Sequence, residues 1–413
     1  MADALARDLH DLSAIGADPA GGITRVAWSP ELMAAYAAFA ERGRAVGARA
    51  DVDAAGNAFL RWSAGGAAHA DGAGGATPAF LIGSHLDTVP RGGAYDGALG
   101  VLAGLDVLRS FQARGDDPGC PVWVTAFMDE EGTRFGTALF GSRAFAGHDL
   151  SGLGSRADRA GVTIAEAMAA CGHDHAQIGS AARIDGIRGY LELHIEQGPV
   201  LEQSGDDIGV VTSIVGLLGL QVRLEGQANH AGTTPMGLRR DALAGAARAV
   251  LELRDLARRT PAVTANVGTI AVEPGGKNVI PGACDFSVDI RGANRATYLT
   301  LDAAARGILA RIAAEESLAL TVTEIYRLAP VPMATAFVDA IERAAELEGA
   351  SARRLPSGAG HDAQIIAPHA PAGMLFVPSR GGISHNPAEL TTPEQCALGS
   401  RVLARAVLLL AGA

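Results

Sequence analysis

Short apolar runs recur along the chain, and each ends in residues that carry charge or a lone pair. "AFLIGSHLD" opens on Ala79-Phe80-Leu81-Ile82 and closes on His85 and Asp87. "VWVTAFMDEEG" closes on Glu130 and Glu131, and "GMLFVPSRGGISH" passes through a glycine turn to His385. These three runs predict buried strands. "GYLELHIEQG" alternates apolar and polar positions and ends near His194 and Glu196. Between the first two runs, "GALGVLAGLDVLRSFQ" has the apolar spacing of a buried helix. Strand–helix–strand alternation predicts an α/β sheet. Ligands of such sheets bind beyond the carboxyl ends of the strands, which is where these His and acidic residues fall.

From about Ser213 to Pro330 the pattern changes. "LGLQVRLEG" alternates Leu218, Leu220, Val222 and Leu224 with Gly219, Gln221, Arg223 and Glu225, as a half-exposed strand does. A helical run, Arg239 to Arg259, is followed by the strands "VTANVGTIAVE" and "CDFSVDIRG". A second helical run, Arg295 to Glu316, leads to a last strand, "LALTVTEIY". The order β-α-β-β-α-β is the ferredoxin-like split pattern. The chain therefore reads as an α/β domain over 1–212 and 331–413, interrupted by a small antiparallel-sheet domain over 213–330. Ser63 to Thr77, almost all Gly and Ala, reads as a mobile surface loop in which His69 is simply solvated. No tandem repeat is present.

A length of 413 residues fits two or three domains, and a hydrophobic share of 48% is enough to bury a sizeable core in them. The net charge of −11, with no Lys/Arg-rich run, excludes a nucleic-acid binder. Cys120, Cys171, Cys284 and Cys396 are far apart, which argues against a disulfide framework or a thiolate metal site and for a reducing cytoplasm. The N-terminus lacks the apolar core of a signal peptide, and no apolar stretch has spanning length, so no membrane association is expected.

The candidate chemistry lies at the strand ends. His85, His194 and His385 supply imidazoles, and Asp96 and Glu131 supply carboxylates. Nitrogen and oxygen donors without thiolate suit Zn, Mn, Co or Ni. Five donors exceed the three that a catalytic zinc usually takes from protein. They fit two ions roughly 3.5–4 Å apart if one carboxylate bridges. An isolated H-x-D or Glu-Glu is usually a capping or solvated feature; the convergence of several strand ends is what singles these out. There is no G-x-S-x-G elbow, phosphate loop or G-x-G-x-x-G spacing, which leaves metal-activated water as the candidate nucleophile.

Longer motifs sharpen the reading. "GSHLDTVPRGGAYDGALGVLAGL", "MDEEGTRFGTALFGSRAFAG", "YLELHIEQGPVLE", "NHAGTTPMGLRRDAL", "GGKNVIPGACDFSVDIR", "SGAGHDAQ" and "VPSRGGISHNPAE" are joined by the opening "IGADPAGGITRVAWS". Together they resemble the amidase/hydantoinase-carbamoylase branch of the di-metal M20 peptidase family. Its members include N-carbamoyl-L-amino acid hydrolases, β-ureidopropionases and allantoate amidohydrolases. The resemblance implies a mixed-sheet catalytic domain with an inserted lid or dimerisation domain, two divalent ions per chain and a homodimer formed through the insert. It implies that Asp96 bridges the ions, that His85 and His194 hold one, and that Glu131 and His385 hold the other. Asp87 would orient the His85 imidazole through its second nitrogen. Glu130 would be the general base that takes a proton from water and delivers it to the leaving nitrogen.

Substrate contacts carry over in the same way. Arg291 and Asn278 resemble a carboxylate-binding pair, and His230 would donate to the carbonyl oxygen as charge develops. Gln197, Gly360 and His361 resemble further contacts. His10, His148, His173, His175 and His369 match no motif and read as structural. The implied reaction is hydrolysis of the ureido group of an N-carbamoyl L-amino acid, a small anionic substrate. The alternatives are allantoate hydrolysis, a dipeptidase of the wider family, and a non-catalytic metal- or ligand-binding dimer. "HIEQGPVLE" and "HAGTTPM" disfavour the dipeptidase, and the presence of Glu130 with all five ligand positions disfavours the last.

Overall fold

The computed structural model describes residues 2–64 and 77–412; most of the predicted glycine–alanine loop, with His69, lies outside the described residues. The strands, in chain order, begin with β1 (Arg49–Val52), β2 (Ala58–Trp62), β3 (Ala79–His85), β4 (Val122–Phe127), β5 (Ile187–Ile195) and β6 (Ile208–Ile214). They continue with β7 (Gly216–Glu225), β8 (Asn229–His230), β9 (Val263–Asn266), β10 (Ile270–Glu273), β11 (Val279–Ile280) and β12 (Ala283–Gly292). The last are β13 (Ala319–Leu328), β14 (Val331–Pro332), β15 (Ala352–Ser357) and β16 (Ala372–Val377). The chain forms two compact units. One holds the described residues up to Thr212, Met333–Leu355 and everything from Ala359; the other is Ser213–Pro332 with Pro356–Gly358.

In the first unit the strand order is β1-β2-β4-β3-β5-β16-β6. β4, β3, β5 and β16 are mutually parallel, so their carboxyl ends share one edge. β1 and β2 extend the sheet antiparallel on one side and β6 on the other. β3, β4 and β16 are buried along their whole length, as their unbroken apolar runs require. β5 alternates in sequence, yet both of its faces are buried too, because it lies centrally in the sheet. The helix Ala98–Arg114 lies close on these strands through Gly100 and Gly104. A Cβ at Gly100 would fall 2.3 Å from the Leu193 carbonyl oxygen, and one at Gly104 2.5 Å from Val124. Helices Ala2–Ser13 and Pro393–Ala411 pack against it, and Thr335–Leu347 packs against Pro393–Ala411. Among the described residues no helix is long and apolar enough to cross a membrane.

The second unit is an antiparallel sheet in the order β10-β12-β7-β13, with β9 also paired to β12. The alternation read from the chain holds: Leu218, Leu220, Val222 and Leu224 on β7, with Cys284, Phe286, Val288 and Ile290 on β12, form one buried core. Two helices contribute to that core, Ala242–Arg259 and Arg295–Glu315. They are capped by Asp241 and Asn294, whose side chains accept main-chain N–H bonds. The segment read as one strand, "VTANVGTIAVE", is two. β9 and β10 both pair with β12, but one extra residue sits between their registers, and Thr269 and Ser287 bond to each other at the break. Beyond Glu225 and Ala283, the β7–β12 ladder continues as a short β8–β11 ribbon.

Candidate metal centre

The parallel strand ends converge on Asp96. Its Oδ1 lies 3.5 Å from His85 Nε2 and 3.2 Å from His194 Nε2. Its Oδ2 lies 3.3 Å from His385 Nε2, which is also 3.3 Å from Glu131 Oε1. His85, Asp96 and His194 form one group able to hold a cation, and Asp96, Glu131 and His385 form another. His85 Nδ1 is 3.0 Å from the Asp87 carbonyl oxygen, and His194 Nδ1 is 2.9 Å from that of Ile195. A carbonyl only accepts, so both Nδ1 atoms carry hydrogen and both neutral rings turn a bare Nε2 toward Asp96. The Gly97 N–H also points at His194 Nε2, 3.2 Å away, as it would at an acceptor. A bare nitrogen facing a carboxylate oxygen needs a cation or a proton between them.

Without a cation the proton takes that place. Burial opposes charge on Asp96, yet its hydrogen bonds with His194, His385 and His85 hold it well below the usual carboxylate range. Burial likewise works against charge on His85, but Asp96, Glu130 and Asp87 pull it well above that of an ordinary imidazole. His385, about half exposed, is raised to about 10 by Asp96 and Glu131.

Asp87 reaches the second nitrogen of His85 through its main chain. Its carboxylate stands 3.7 Å from His85 Nδ1, and its main-chain carbonyl makes the hydrogen bond instead. The reason is that the carboxylate is already committed: Oδ1 accepts the Glu130 N–H and Oδ2 the Glu131 N–H, at 3.2 and 3.1 Å. It thereby fixes the turn that carries both acidic side chains. Asp129, just before them, has φ of 55°, and Gln197 and His385 are also left-handed. Such backbone in non-glycine residues costs of order 1 kcal/mol and collects at functional sites. Glu130 stands 3.8 Å from His85 Nε2. Burial pushes its carboxyl well up; His85 opposes this, and Glu131, Asp362 and Asp87 add to it.

Gln197 donates through Nε2 to Asp96 Oδ2 at 2.8 Å, while its Oε1 is buried with no hydrogen-bond partner among the described residues. His361 is buried with its ring 4.6 Å from that of His194, and burial followed by His194 drives its pKa well down. Gly360 precedes it, half-buried. Glu192, His194 and His361 also lie within ligating distance of one another. Glu192, however, is engaged by the Ser84 hydroxyl and the Ala363 N–H, and His194 Nε2 faces Asp96. This trio supports the centre rather than forming another.

Two supporting residues escaped the motif reading. Glu389 Oε1 accepts the main-chain N–H of Tyr95 and of Asp96, and its Oε2 accepts from Ser384 Oγ at 2.9 Å. Ser384 Oγ also lies 2.9 Å from Asp96 Oδ2. Glu389 thus ties the Asp96 loop to the residue before His385. It stood in plain view in "SHNPAE", but only its partners reveal what it does. Arg25, fully buried, donates through Nε to the Leu86 carbonyl and through Nη1 to those of Leu12 and Ile15, anchoring the loop that carries Asp87.

The remaining candidates lie on the second unit. His230 and Asn278 are neighbours on the β8–β11 ribbon, where the Ala231 N–H donates to the Asn278 carbonyl. His230 Nδ1 accepts the Gly232 N–H at 3.0 Å, so the hydrogen of its neutral ring sits on exposed Nε2, poised to donate. Arg291 lies elsewhere on this unit. It is opposite Leu217 near the start of β7, whereas the ribbon follows Glu225, which is opposite Ala283. At the usual strand rise, about 25 Å of ladder separates them.

Residues 81–409 match peptidase family M20/M25/M40. The chain is 40% identical over 407 residues to an N-carbamoyl-L-amino acid amidohydrolase of Geobacillus stearothermophilus, a match spanning 98% of this chain and 97% of the other. It is 37% identical over 399 residues to an allantoate amidohydrolase of Bacillus subtilis (strain 168), spanning 95% and 93%. The crystal structure of an amidase of the hydantoinase/carbamoylase family from Burkholderia multivorans superposes with a TM-score of 0.90 at 38% identity, over 100% of this chain and 98% of that one.

Proposed function

The chain belongs to peptidase family M20/M25/M40, and from that premise we propose that it is a metal-dependent amidohydrolase of N-carbamoyl-L-amino acids. The reaction adds water across the ureido C–N bond and yields the amino acid, ammonia and carbon dioxide. The observation that carries this reading is the Asp96 carboxylate, with two imidazoles against one oxygen and a third imidazole, paired with Glu131, against the other. That donor set fits divalent metal: His85 and His194 with Asp96 would hold one ion, and Glu131 and His385 with Asp96 a second. Ions bound there would polarise the ureido carbonyl and acidify a water molecule.

The chain's own residues supply the rest. Glu130, largely buried and with its pKa raised, is suited to take the proton of the attacking water and return it to the leaving nitrogen near neutral pH. The unmet Gln197 Oε1 beside the donor set suits a ureido N–H. Arg291 suits the substrate carboxylate, and the Nε2–H of His230 suits the carbonyl oxygen as negative charge develops. Homodimerisation through the inserted unit fits the distance between Arg291 and the His230–Asn278 ribbon, because one small molecule meets both only if a second chain supplies one of them. An acidic chain whose four cysteines are free fits the cytoplasm.

Allantoate is the second substrate reading, favoured by the 37% identity to the Bacillus subtilis enzyme. A panel of N-carbamoyl-L-alanine, N-carbamoyl-L-leucine, allantoate and a dipeptide, with Mn-, Zn- or Co-loaded protein and a chelated control, tests the proposal. Turnover of a carbamoyl amino acid in the loaded protein alone is expected. Turnover confined to allantoate would replace the substrate assignment, and undiminished turnover in metal-free protein would refute the metal centre. For the dimer, inactive His230→Ala and inactive Glu130→Gln chains are mixed and allowed to exchange. Recovered activity is expected, and none in demonstrated heterodimers would refute a shared site.

A further inference from the structure

Arg291 does not stand alone on its strand. Its Nε donates to Asp289 Oδ1 at 2.9 Å and its Nη1 to the Gly358 carbonyl at 2.9 Å; Nη2 has no hydrogen bond among the described residues. The other oxygen of Asp289 accepts the Tyr326 hydroxyl at 2.6 Å. Tyr326 and Asp289 are not on adjacent strands. Tyr326 is on β13 and Asp289 on β12, and β7 runs between them, with Gly219 paired to both. The tyrosine ring spans the middle strand by lying over Gly219. A Cβ there would come within 2.4 Å of the ring. A bulge on β13 makes this possible. Glu324 pairs with Leu220, Ile325 is skipped, and Tyr326 takes the place opposite Gly219 that a regular register gives to Ile325. One glycine and one bulge thus serve a single hydrogen bond to the carboxylate that holds Arg291.

We propose that Asp289 and Tyr326 are positioning residues for Arg291, fixing the plane of its guanidinium through Nε so that the Nη2 end is presented to a substrate carboxylate. This rests on the reading of Arg291 as the carboxylate grip. Fixing the plane matters because a planar fork binds a carboxylate with two parallel bonds only when its plane matches that of the ligand. Asp289 alone would compete with the substrate for the same cation. The Tyr326 hydroxyl donates to the far oxygen of Asp289 and draws charge away from Arg291, so the pair orients the guanidinium without saturating it. Burial, with Asp289 adding, raises the Tyr326 hydroxyl to about 12, so it remains a donor throughout the working range. The consequence is specificity. The network contributes to binding of substrates that carry the carboxylate and is silent toward those that lack it.

The test uses full-length, metal-loaded protein and the best carboxylate-bearing substrate of the panel above, together with its carboxamide. Tyr326→Phe removes one hydroxyl from a half-exposed ring and leaves the packing over Gly219. It is expected to raise KM for the carboxylate by about 3- to 10-fold, to leave kcat within twofold, and to leave kcat/KM for the carboxamide unchanged. Asp289→Ala should behave likewise and more strongly, while Asp289→Asn, which keeps an acceptor for Nε, should recover part of the loss. In an Arg291→Ala background Tyr326→Phe should add nothing. Equal losses on the carboxylate and the carboxamide, or a full Tyr326→Phe effect without Arg291, would overturn the proposal. A strong Arg291→Ala effect with a silent Tyr326→Phe would overturn it while leaving Arg291 as the grip. A silent Arg291→Ala would remove the grip, and the proposal with it. Metal content and melting temperature of each variant separate these outcomes from misfolding.

Discussion

The histidines of this chain look alike in sequence and differ in which nitrogen is available. His85 and His194 give Nδ1–H to a carbonyl and keep Nε2 bare, whereas His230 accepts at Nδ1 and keeps Nε2–H. The first two are built to face a cation and the third to face an oxygen. The donor types at the strand ends were legible, because each closes an apolar run; the tautomers were not, because they are set by main-chain atoms that folding brings into place. For the same reason the sequence does not show which atom of Asp87 meets His85, since its two carboxylate oxygens are claimed by the Glu130 and Glu131 amides. Glu130→Gln keeps those main-chain bonds and removes only the proton acceptor. Turnover should fall at least ~100-fold while metal content, by elemental analysis, stays unchanged. His385, raised to about 10 in the metal-free protein, is protonated at neutral pH and must lose that proton to bind a cation. Titration calorimetry with Mn²⁺ at pH 7, in buffers of different ionisation heat, should report the release of about one proton or more. A heat independent of buffer would contradict this.

At the level of elements, unbroken apolar runs placed β3, β4 and β16 and the helix Ala98–Arg114 well, since burial on all sides leaves little else. The split between β9 and β10 and the β8–β11 ribbon went unread, because a bulge and a two-residue strand leave almost no periodicity. The loops after the strands hold the donors, and they are joined by single side chains from distant sequence. Asn57, between β1 and β2, accepts the Met128 N–H and donates to the Gly141 carbonyl, bracketing the turn that carries Glu130 and Glu131. Glu389 joins the Asp96 and His385 loops. Glutamine can reproduce these bonds, accepting the two N–H groups at its oxygen and donating to Ser384 at its nitrogen. Glu389→Gln should therefore hold metal nearly as the parent does. Glu389→Ala should weaken metal binding by about 10- to 100-fold, the usual cost of losing such support, measured by competition with a chelator. Equal retention by both variants would deny the loop a need for this brace.

Over the whole molecule, most of the shifted groups in and around the centre, Asp96 and His361 apart, have pKa values above their ordinary ones. Asp53 is raised to about 6 by burial, and Asp129 to about 7 by burial and then by Asp87. Glu192 and Asp362 are raised by burial, and His85, His194 and His385 are raised by their carboxylate neighbours against the effect of burial. A folded pKa above the unfolded one stabilises the fold fully below the unfolded value, and the benefit is lost as pH rises through the folded value. Each of these groups has that sign; Asp96 and His361, lowered instead, have the opposite one, and their contribution is complete above the ordinary carboxylate and imidazole ranges. Asp53 and Asp129 lose their contribution by about pH 6 and 7, so above that the raised histidines decide: the melting temperature of metal-free protein should fall from about pH 7 to about pH 9, and added Mn²⁺ should raise it more at pH 8 than at pH 6. A flat profile would show that the acids are relieved by contacts other than the cation. The separation of Arg291 from the His230–Asn278 ribbon has a consequence for how the enzyme is assayed. If one substrate needs both, the working unit is an encounter between chains, and specific activity becomes a readout of association. Diluted far enough, the protein should lose turnover per chain in proportion to the fraction left single, and regain it on reconcentration.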